Sequence, residues 1–224
     1  CPEGLLLVPD TRLFNENAEN ASGNVAAIPK IIHVTAKSRC MTQGFKDNID
    51  KWRLPGFSLL VHNDAAVNAF LERYWPEFPE IPKIVHCVLS GAGKADLWRA
   101  LMLWEYGGIY TDIDGAPNQQ FQEGRLIADD DESFFVVEMG GWLSQYFMCS
   151  MPHHPLMYMV ISKIIQRLYT LNDVDGQYVP RSTGPGPLKY AFIAFMNDQG
   201  GNFYEGHGDC NSKRNFKYGM VTAG

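Results

Sequence analysis

Asp112 and Asp114 stand two positions apart behind the run Gly107-Gly-Ile-Tyr-Thr. On a strand, residues two apart point the same way and lie roughly 6 to 7 Å from each other. The pair would then present two carboxylates to one side at a strand's end. Like charges that close repel, and a cation between or beside them removes the repulsion. Hard divalent ions such as Mn²⁺ or Mg²⁺ take carboxylate oxygens and keep positions open for phosphate and water. A metal holding a diphosphate is therefore the chemistry this spacing points to. The plainer reading is a solvated strand end leading into a turn at Gly115.

The elements that must position the pair are legible in the residues around it. Leu97, Ala100, Leu101 and Trp104 recur at i, i+3, i+4 and i+7, which lays one apolar stripe along a helix. Gly107 and Gly108 permit the left-handed turn that stops a helix, and Ile109, Tyr110 and Thr111 are β-formers that restart the chain as a strand. Upstream, Ile28-Pro-Lys-Ile-Ile-His-Val-Thr reads as a strand and Gln43 to Arg53 as an amphipathic piece. Phe57 to His62 reads as a second strand and Ala65 to Trp75 as a second helix. Strand, helix, strand, helix opens a parallel α/β sheet.

Pro76, Pro79 and Pro82 interrupt that pattern and make Glu77 to Pro82 a loop. Downstream, Ser133 to Met139 and Gln145 to Ser150 read as strands and Pro155 to Leu171 as a long helix. Gly184-Pro-Gly-Pro reads as a rigid loop before a short helix from Leu188 to Met196. The acidic run Asp129 to Glu132 reads as a solvated turn rather than a metal site, and no internal repeat is visible. His33 and His62 fall near strand ends, as satisfied structural histidines first and cleft-lining groups second.

With 224 residues, 46% of them hydrophobic and 12% aromatic, the chain can bury a sizeable core in one domain. Residues 1–27, mixed in Pro, Asn, Glu and Ser, read as an arm or linker, and residues 28–224 as the domain. A net charge of −6 and no Lys/Arg run with interleaved aromatics leave no field for nucleic acid. No apolar stretch approaches the roughly 20 residues that span a bilayer. The chain begins at Cys1 without an initiator Met, so a signal or membrane anchor would lie upstream of it. Five scattered cysteines are odd in number, so one at least is unpaired within the chain, and buried free thiols are the default expectation. Asn20-Ala-Ser is a sequon that would be glycosylated on the secretory route.

Taken together, five segments resemble the metal-dependent glycosyltransferases with a DXD sugar-binding region. That group contains the fungal outer-chain α-mannosyltransferases, the inositol-phosphoceramide mannosyltransferases and the animal α-galactosyl and α-N-acetylglucosaminyl transferases. The segments are Ile28-Pro-Lys-Ile-Ile-His, Lys94-Ala-Asp-Leu-Trp-Arg, Tyr106-Gly-Gly-Ile-Tyr-Thr-Asp-Ile-Asp, Met148-Cys-Ser-Met-Pro-His-His-Pro and Thr183-Gly-Pro, in the family's order over residues 28–187. The resemblance implies a nucleotide-diphospho-sugar transferase fold of the GT-A type, a Rossmann-like, mostly parallel sheet flanked by helices. It implies retaining transfer of a hexose, with mannose the best guess, from a GDP- or UDP-linked donor to a hydroxyl of a glycan or glycolipid. Mn²⁺ (or Mg²⁺) is the implied metal, and a Golgi or secretory lumen the implied location, with any membrane contact through a segment outside this chain.

Residue by residue, the resemblance makes Asp114 a direct metal ligand and Asp112 part of the shell of metal, ribose and sugar. Asp96 and Arg99 correspond to a pair that holds the donor sugar's hydroxyls. At i and i+3 on a helix the two share a face, and a carboxylate beside a guanidinium can grip vicinal hydroxyls. The plainer alternative is a surface ion pair worth at most about 0.5 kcal/mol. His207 is a candidate late metal ligand, because related folds take one from the C-terminal region. The chain departs from the family at Gly115-Ala-Pro and in lacking an Asn within Ser144-Gln-Tyr, which bears on acceptor contacts.

Two other classes compete. Tyr110-Thr-Asp-Ile-Asp-Gly also looks like the motif of haloacid-dehalogenase-like phosphatases, in which Asp112 would attack phosphorus and Asp114 would act as acid and base. That motif normally follows an apolar first strand, whereas here it comes past residue 110 behind two glycines. A non-catalytic sugar-binding module is the third class, and the intact Asp96, Arg99, Asp112 and Asp114 argue against it.

Overall fold

In the computed structural model, residues 1–12, 26–138, 142–170, 179–198 and 218–222 are described. In chain order the elements are β1 (Leu6–Leu7), β2 (Ile31–Thr35), β3 (Cys40–Met41), α1 (Gln43–Asp50), β4 (Ser58–His62), α2 (Asp64–Glu72), α3 (Ile81–Ile84), α4 (Gly91–Tyr106) and β5 (Gly108–Thr111). Then come α5 (Gln119–Gln122), β6 (Ser133–Val137), β7 (Leu143–Ser150), α6 (Pro155–Thr170), α7 (Val179–Ser182), α8 (Pro185–Asp198) and β8 (Tyr218–Thr222).

Six strands form one sheet in the order β4-β2-β5-β7-β6-β8. β4, β2 and β5 run parallel, as a strand-helix-strand chain path requires. β7 runs antiparallel to both β5 and β6, and β8 runs parallel to β6. The expected α/β architecture is present, with a sheet that is mixed beyond β5.

Strand alternation sorts side chains onto the two faces. Tyr110, Phe135, Val137 and Met148 join α2, α4, α6 and α8 in one core. Their neighbours Ile109, Phe134, Val136, Phe147 and Cys149 join Ile49, Trp52 and Phe121 in the other. α4 was expected to bury one stripe; instead Asp96 through Trp104 are all buried. It is packed by β5 and β7 and also by α2, α6 and α7, which accounts for its weak amphipathicity.

Gly107 and Gly108 end α4 and start β5 with φ of 62° and 93°. The strand stops at Thr111, one residue before Asp112. The two carboxylates therefore sit in the turn after β5, closed by Gly115 N donating to Asp112 O at 3.1 Å, and not on one face of a strand. The expected loops at Glu77 to Pro82 and Gly184 to Pro187 are also shorter than the sequence suggested, because α3 begins at Ile81 and α8 at Pro185. Proline is tolerated in a first helical turn, where an N–H has no partner anyway.

Residues 1–12 lie on the domain. β1 pairs with β3, Cys1 is disulfide-bonded to Cys40, and Val8 is fully buried. The expectation of free thiols thus fails for Cys1 and Cys40 and holds for Cys149, which is buried. Asp10 accepts from Arg39 Nη2 at 2.7 and 2.8 Å and from Val61 N at 2.9 Å. Thr11 bridges Leu59 antiparallel. These contacts cover the outer side of β4, an edge strand whose backbone groups would otherwise be open to pairing.

Candidate active site

Four segments bring the site together: α4, the end of β5, the start of β7 and the turn between α7 and α8. Asp96 and Arg99 share a face of α4, with Arg99 Nη2 3.2 Å from Asp96 Oδ1. They are not a surface pair, since only 6% and 8% of each residue is exposed. Buried charges are tolerated only when hydrogen bonds satisfy what the partner leaves over. Here Thr183 Oγ1 donates to Asp96 Oδ2 at 2.9 Å, and Arg99 Nη1 donates to Gln145 O at 2.7 Å. Gln145 Nε2 donates in turn to Thr183 O at 3.4 Å, closing the ring of contacts. Burial, with a smaller push from Asp112, raises the Asp96 carboxyl to about 6 against the opposing pull of Arg99 and Thr183.

Asp112 extends this network. Its Oδ1 accepts from Tyr110 OH at 2.5 Å and lies 3.7 Å from Arg99 Nη1. Its backbone N–H donates to Tyr146 O at 2.9 Å, carrying the β5–β7 ladder one residue beyond the strand. The Arg99 guanidinium stands 4.4 Å over the Tyr110 ring, where cation–π attraction adds to its anchoring. Burial pushes the Tyr110 hydroxyl far up, so it stays a neutral donor to Asp112. The Asp112 side chain is 36% exposed. Asp114 is exposed and has no hydrogen bond or ion pair with the described residues.

Among the described residues, no three His, Cys, Asp or Glu side chains gather to hold a metal ion. The donor set on offer is two accessible carboxylates, both hard oxygen ligands. It fits a Mn²⁺- or Mg²⁺-sized ion whose remaining positions are filled by phosphate oxygens and water. His207 lies outside the described residues.

His33 and His62 meet each other within the fold. His33 Nδ1 and His62 Nε2 are 3.2 Å apart, and the His62 ring packs 4.8 Å from Trp98. Burial pulls His33 to about 3 and His62 to about 4, leaving both neutral.

Thr183, Gln145 and Tyr110 were not singled out for roles from the sequence. Thr183 sits ahead of Gly-Pro, which marks a turn but not its destination. Gln145 contributes its backbone carbonyl, a group every residue has.

Residues 31–133 match the family described as the glycosyltransferase sugar-binding region containing a DXD motif. The matched region includes Asp96, Arg99, Asp112 and Asp114, while Gln145 and Thr183 fall outside it. Over 205 residues the chain is 27% identical to the initiation-specific α-1,6-mannosyltransferase of Schizosaccharomyces pombe, covering 80% of this chain and 51% of that protein. Over 185 residues it is 23% identical to inositol phosphoceramide mannosyltransferase 1 of the same yeast, covering 79% and 55%. The chain thus spans about half the length of these curated relatives. The solved PaToxG glycosyltransferase shares the fold, with a TM-score of 0.55 and 15% identity over 77% of this chain and 70% of that one. The GT-A-like fold expected from the DXD family is therefore present.

Proposed function

We propose that this chain is a metal-dependent retaining hexosyltransferase, with residues 28–224 as its catalytic domain and residues 1–27 as an arm. It moves a hexose from a GDP- or UDP-linked donor to a hydroxyl of a glycan or glycolipid. The names of the two yeast relatives support mannose as the hexose. The observation that carries this reading is the buried Asp96–Arg99 pair, locked by Thr183 and Gln145 and set beside an Asp112 and Asp114 that remain accessible. A charge pair held in a low-dielectric site at such desolvation cost is a mark of function more than of stability.

The chemistry follows from charge. Transfer breaks the bond between the anomeric carbon and the diphosphate oxygen and forms one to the acceptor oxygen. The acceptor's proton passes to the departing phosphate, so no separate base or nucleophile is assigned. Asp96 and Arg99 hold the sugar's hydroxyls with charge-assisted hydrogen bonds, and their mutual locking fixes the sugar's orientation before reaction. Tyr110, donating to Asp112 Oδ1, turns that carboxylate so that its other oxygen is available. Asp112 and Asp114 would hold the Mn²⁺ or Mg²⁺, which when bound supplies Lewis-acid stabilisation of phosphate charge.

A Golgi or secretory lumen is the setting we propose. The Cys1–Cys40 disulfide supports it, because such bonds persist in oxidising compartments. No helix among the described residues is long and apolar enough to cross a membrane. The decisive experiment is a melting-temperature screen of GDP-mannose, UDP-galactose, UDP-glucose and UDP-N-acetylglucosamine with and without Mn²⁺. A ligand that binds only the folded form raises the midpoint. We expect one donor to do so only with Mn²⁺, and to be hydrolysed slowly with retention at the anomeric carbon. No response to any donor would refute the reading.

A further inference from the structure

A cavity of about 670 Å³ is lined by Glu138, Trp142, Arg167, Arg181 and Tyr190, with Pro180, Pro185 and Gly186 completing its wall. That volume lies in the roughly 300–1,000 Å³ range of small-molecule sites. Its walls are continuous in sequence with the groups that lock the donor site. Arg181 and Pro185 flank Thr183, which holds Asp96, and Trp142 precedes Gln145, which holds Arg99. A ligand in this cavity therefore rests on the same two segments that fix the proposed sugar-holding pair.

The lining is cationic in a chain of net charge −6. Arg181 is exposed and has no hydrogen bond or ion pair with the described residues. The Arg167 guanidinium lies 5.3 Å from the centre of the Tyr190 ring, and Lys189 Nζ lies 4.0 Å from that of Trp142. Each aromatic face so covered is closed to a stacking sugar and serves instead to hold a cation in place. A second hollow of about 470 Å³ shares Arg167 and Tyr190 and adds Lys163. Among the described residues, Glu138 is the single carboxylate lining either hollow.

We propose that this cavity is the acceptor subsite and that the acceptor it takes carries an anionic group, a phosphate or a carboxylate. The proposal rests on the transferase reading given above. Arg181 and Arg167 bind the anion, and Glu138 accepts a hydrogen bond from a hydroxyl of the same ligand. A neutral glycan meets the same surface without the charge-assisted bonds that Arg181 offers.

The test is calorimetric binding of glucose 6-phosphate, glucuronate and methyl glucoside to the full chain, without added metal so that the carboxylate pair holds no competing cation. The anionic probes should bind at least about tenfold tighter than methyl glucoside, as one charge-assisted bond allows. Their affinity should fall with added salt. Arg181→Glu and Arg181→Gln should abolish the preference, and whichever of phosphate or carboxylate binds better identifies the anion. Equal binding of methyl glucoside, or unchanged anion binding in both variants, would overturn the proposal. The Mn²⁺-dependent donor shift should be the same in wild type and variants. Its absence from all of them would sink the transferase reading while leaving the anion result to stand or fall on its own.

Discussion

Thr183 Oγ1 donates to Asp96 Oδ2 at 2.9 Å across a sequence separation of 87 residues. This contact makes the turn between α7 and α8 part of a site otherwise built on α4 and β5. It also gives the buried carboxylate a neutral donor on the oxygen that Arg99 does not face. Replacing Thr183 by Val keeps the shape and deletes the donor. Leaving a buried acceptor unsatisfied costs about 1–3 kcal/mol. We expect Thr183→Val to lower the melting midpoint and donor kcat/KM together, and Thr183→Ser to restore both. A Val variant with unchanged kcat/KM would remove Thr183 from the site.

Arg99 should be less replaceable than its partner. Arg99→Met strands the Asp96 carboxylate in a buried setting, and breaking a buried pair from one side costs about 3–5 kcal/mol. Asp96 is already raised to about 6, so protonation can relieve the penalty in acid. The stability deficit of Arg99→Met should be larger at pH 8 than at pH 5. Adding Asp96→Asn should recover much of it without recovering transfer. Melting curves of the two variants at both pH values check this, and a pH-independent deficit would contradict it.

The parts of this molecule visible in its sequence are those fixed by short-range chemistry. The two glycines after Tyr106 announced the end of α4 because few other residues take positive φ. The β-formers Ile109, Tyr110 and Thr111 announced a strand, and the structure buries all of β5. What sequence reading missed depends on distant groups. Asp112 and Asp114 look like strand residues, yet β5 ends at Thr111 because Gly115 N turns back to Asp112 O. Residues 1–27 read as an arm because they mix Pro, Asn, Glu and Ser with little periodicity, a pattern that says nothing of where such a segment rests. The partners that hold Val8, Asp10 and Thr11 onto the domain come from residues 39 to 61.

Stability should fall as pH drops below 6.5. His33, His62 and His154 are pulled from an ordinary value of 6.5 to about 3, 4 and 4, in each case chiefly by burial. The unfolded chain therefore binds more protons than the fold between about 6.5 and 4, and stability is lost as pH falls through that window. Asp96 works the other way, since its raised value makes the fold bind more protons between 3.8 and about 6. One carboxyl offsets one histidine, and the net slope keeps the histidines' sign. Denaturant midpoints at pH 7 and 5 should show the loss, and His62→Gln should make the dependence shallower. A flat profile in wild type would contradict the neutral, buried pair.

The two accessible aspartates should separate metal binding from stability. Asp114 is exposed and has no hydrogen bond or ion pair with the described residues, so Asp114→Asn should leave the metal-free midpoint within about 0.5 kcal/mol of wild type. The same change should abolish the added stabilisation that Mn²⁺ gives in the presence of the nucleotide sugar. Asp112→Asn should do both kinds of damage, since Asp112 also receives the Tyr110 hydroxyl and faces Arg99. Retention of the Mn²⁺-dependent shift in both variants would move the metal elsewhere.

Gly108 is the backbone position on which the placement of Asp112 most depends. A Cβ there would lie 2.5 Å from Ile31 O, a backbone atom of the neighbouring strand β2, and the residue sits at φ +93°. Neither the clash nor the dihedral can relax without moving β5 away from β2. Gly124 supplies the control, with φ +68° and nothing within 4 Å of its added Cβ. Gly124→Ala should cost about 1–2 kcal/mol, the backbone strain alone. Gly108→Ala should cost clearly more and, where the protein still folds, should lose donor binding, because displacing β5 carries Asp112 away from Arg99. Paired denaturation curves read the difference. Equal losses would mean that the β2–β5 contact yields easily and that the carboxylates are held by the turn after β5 alone.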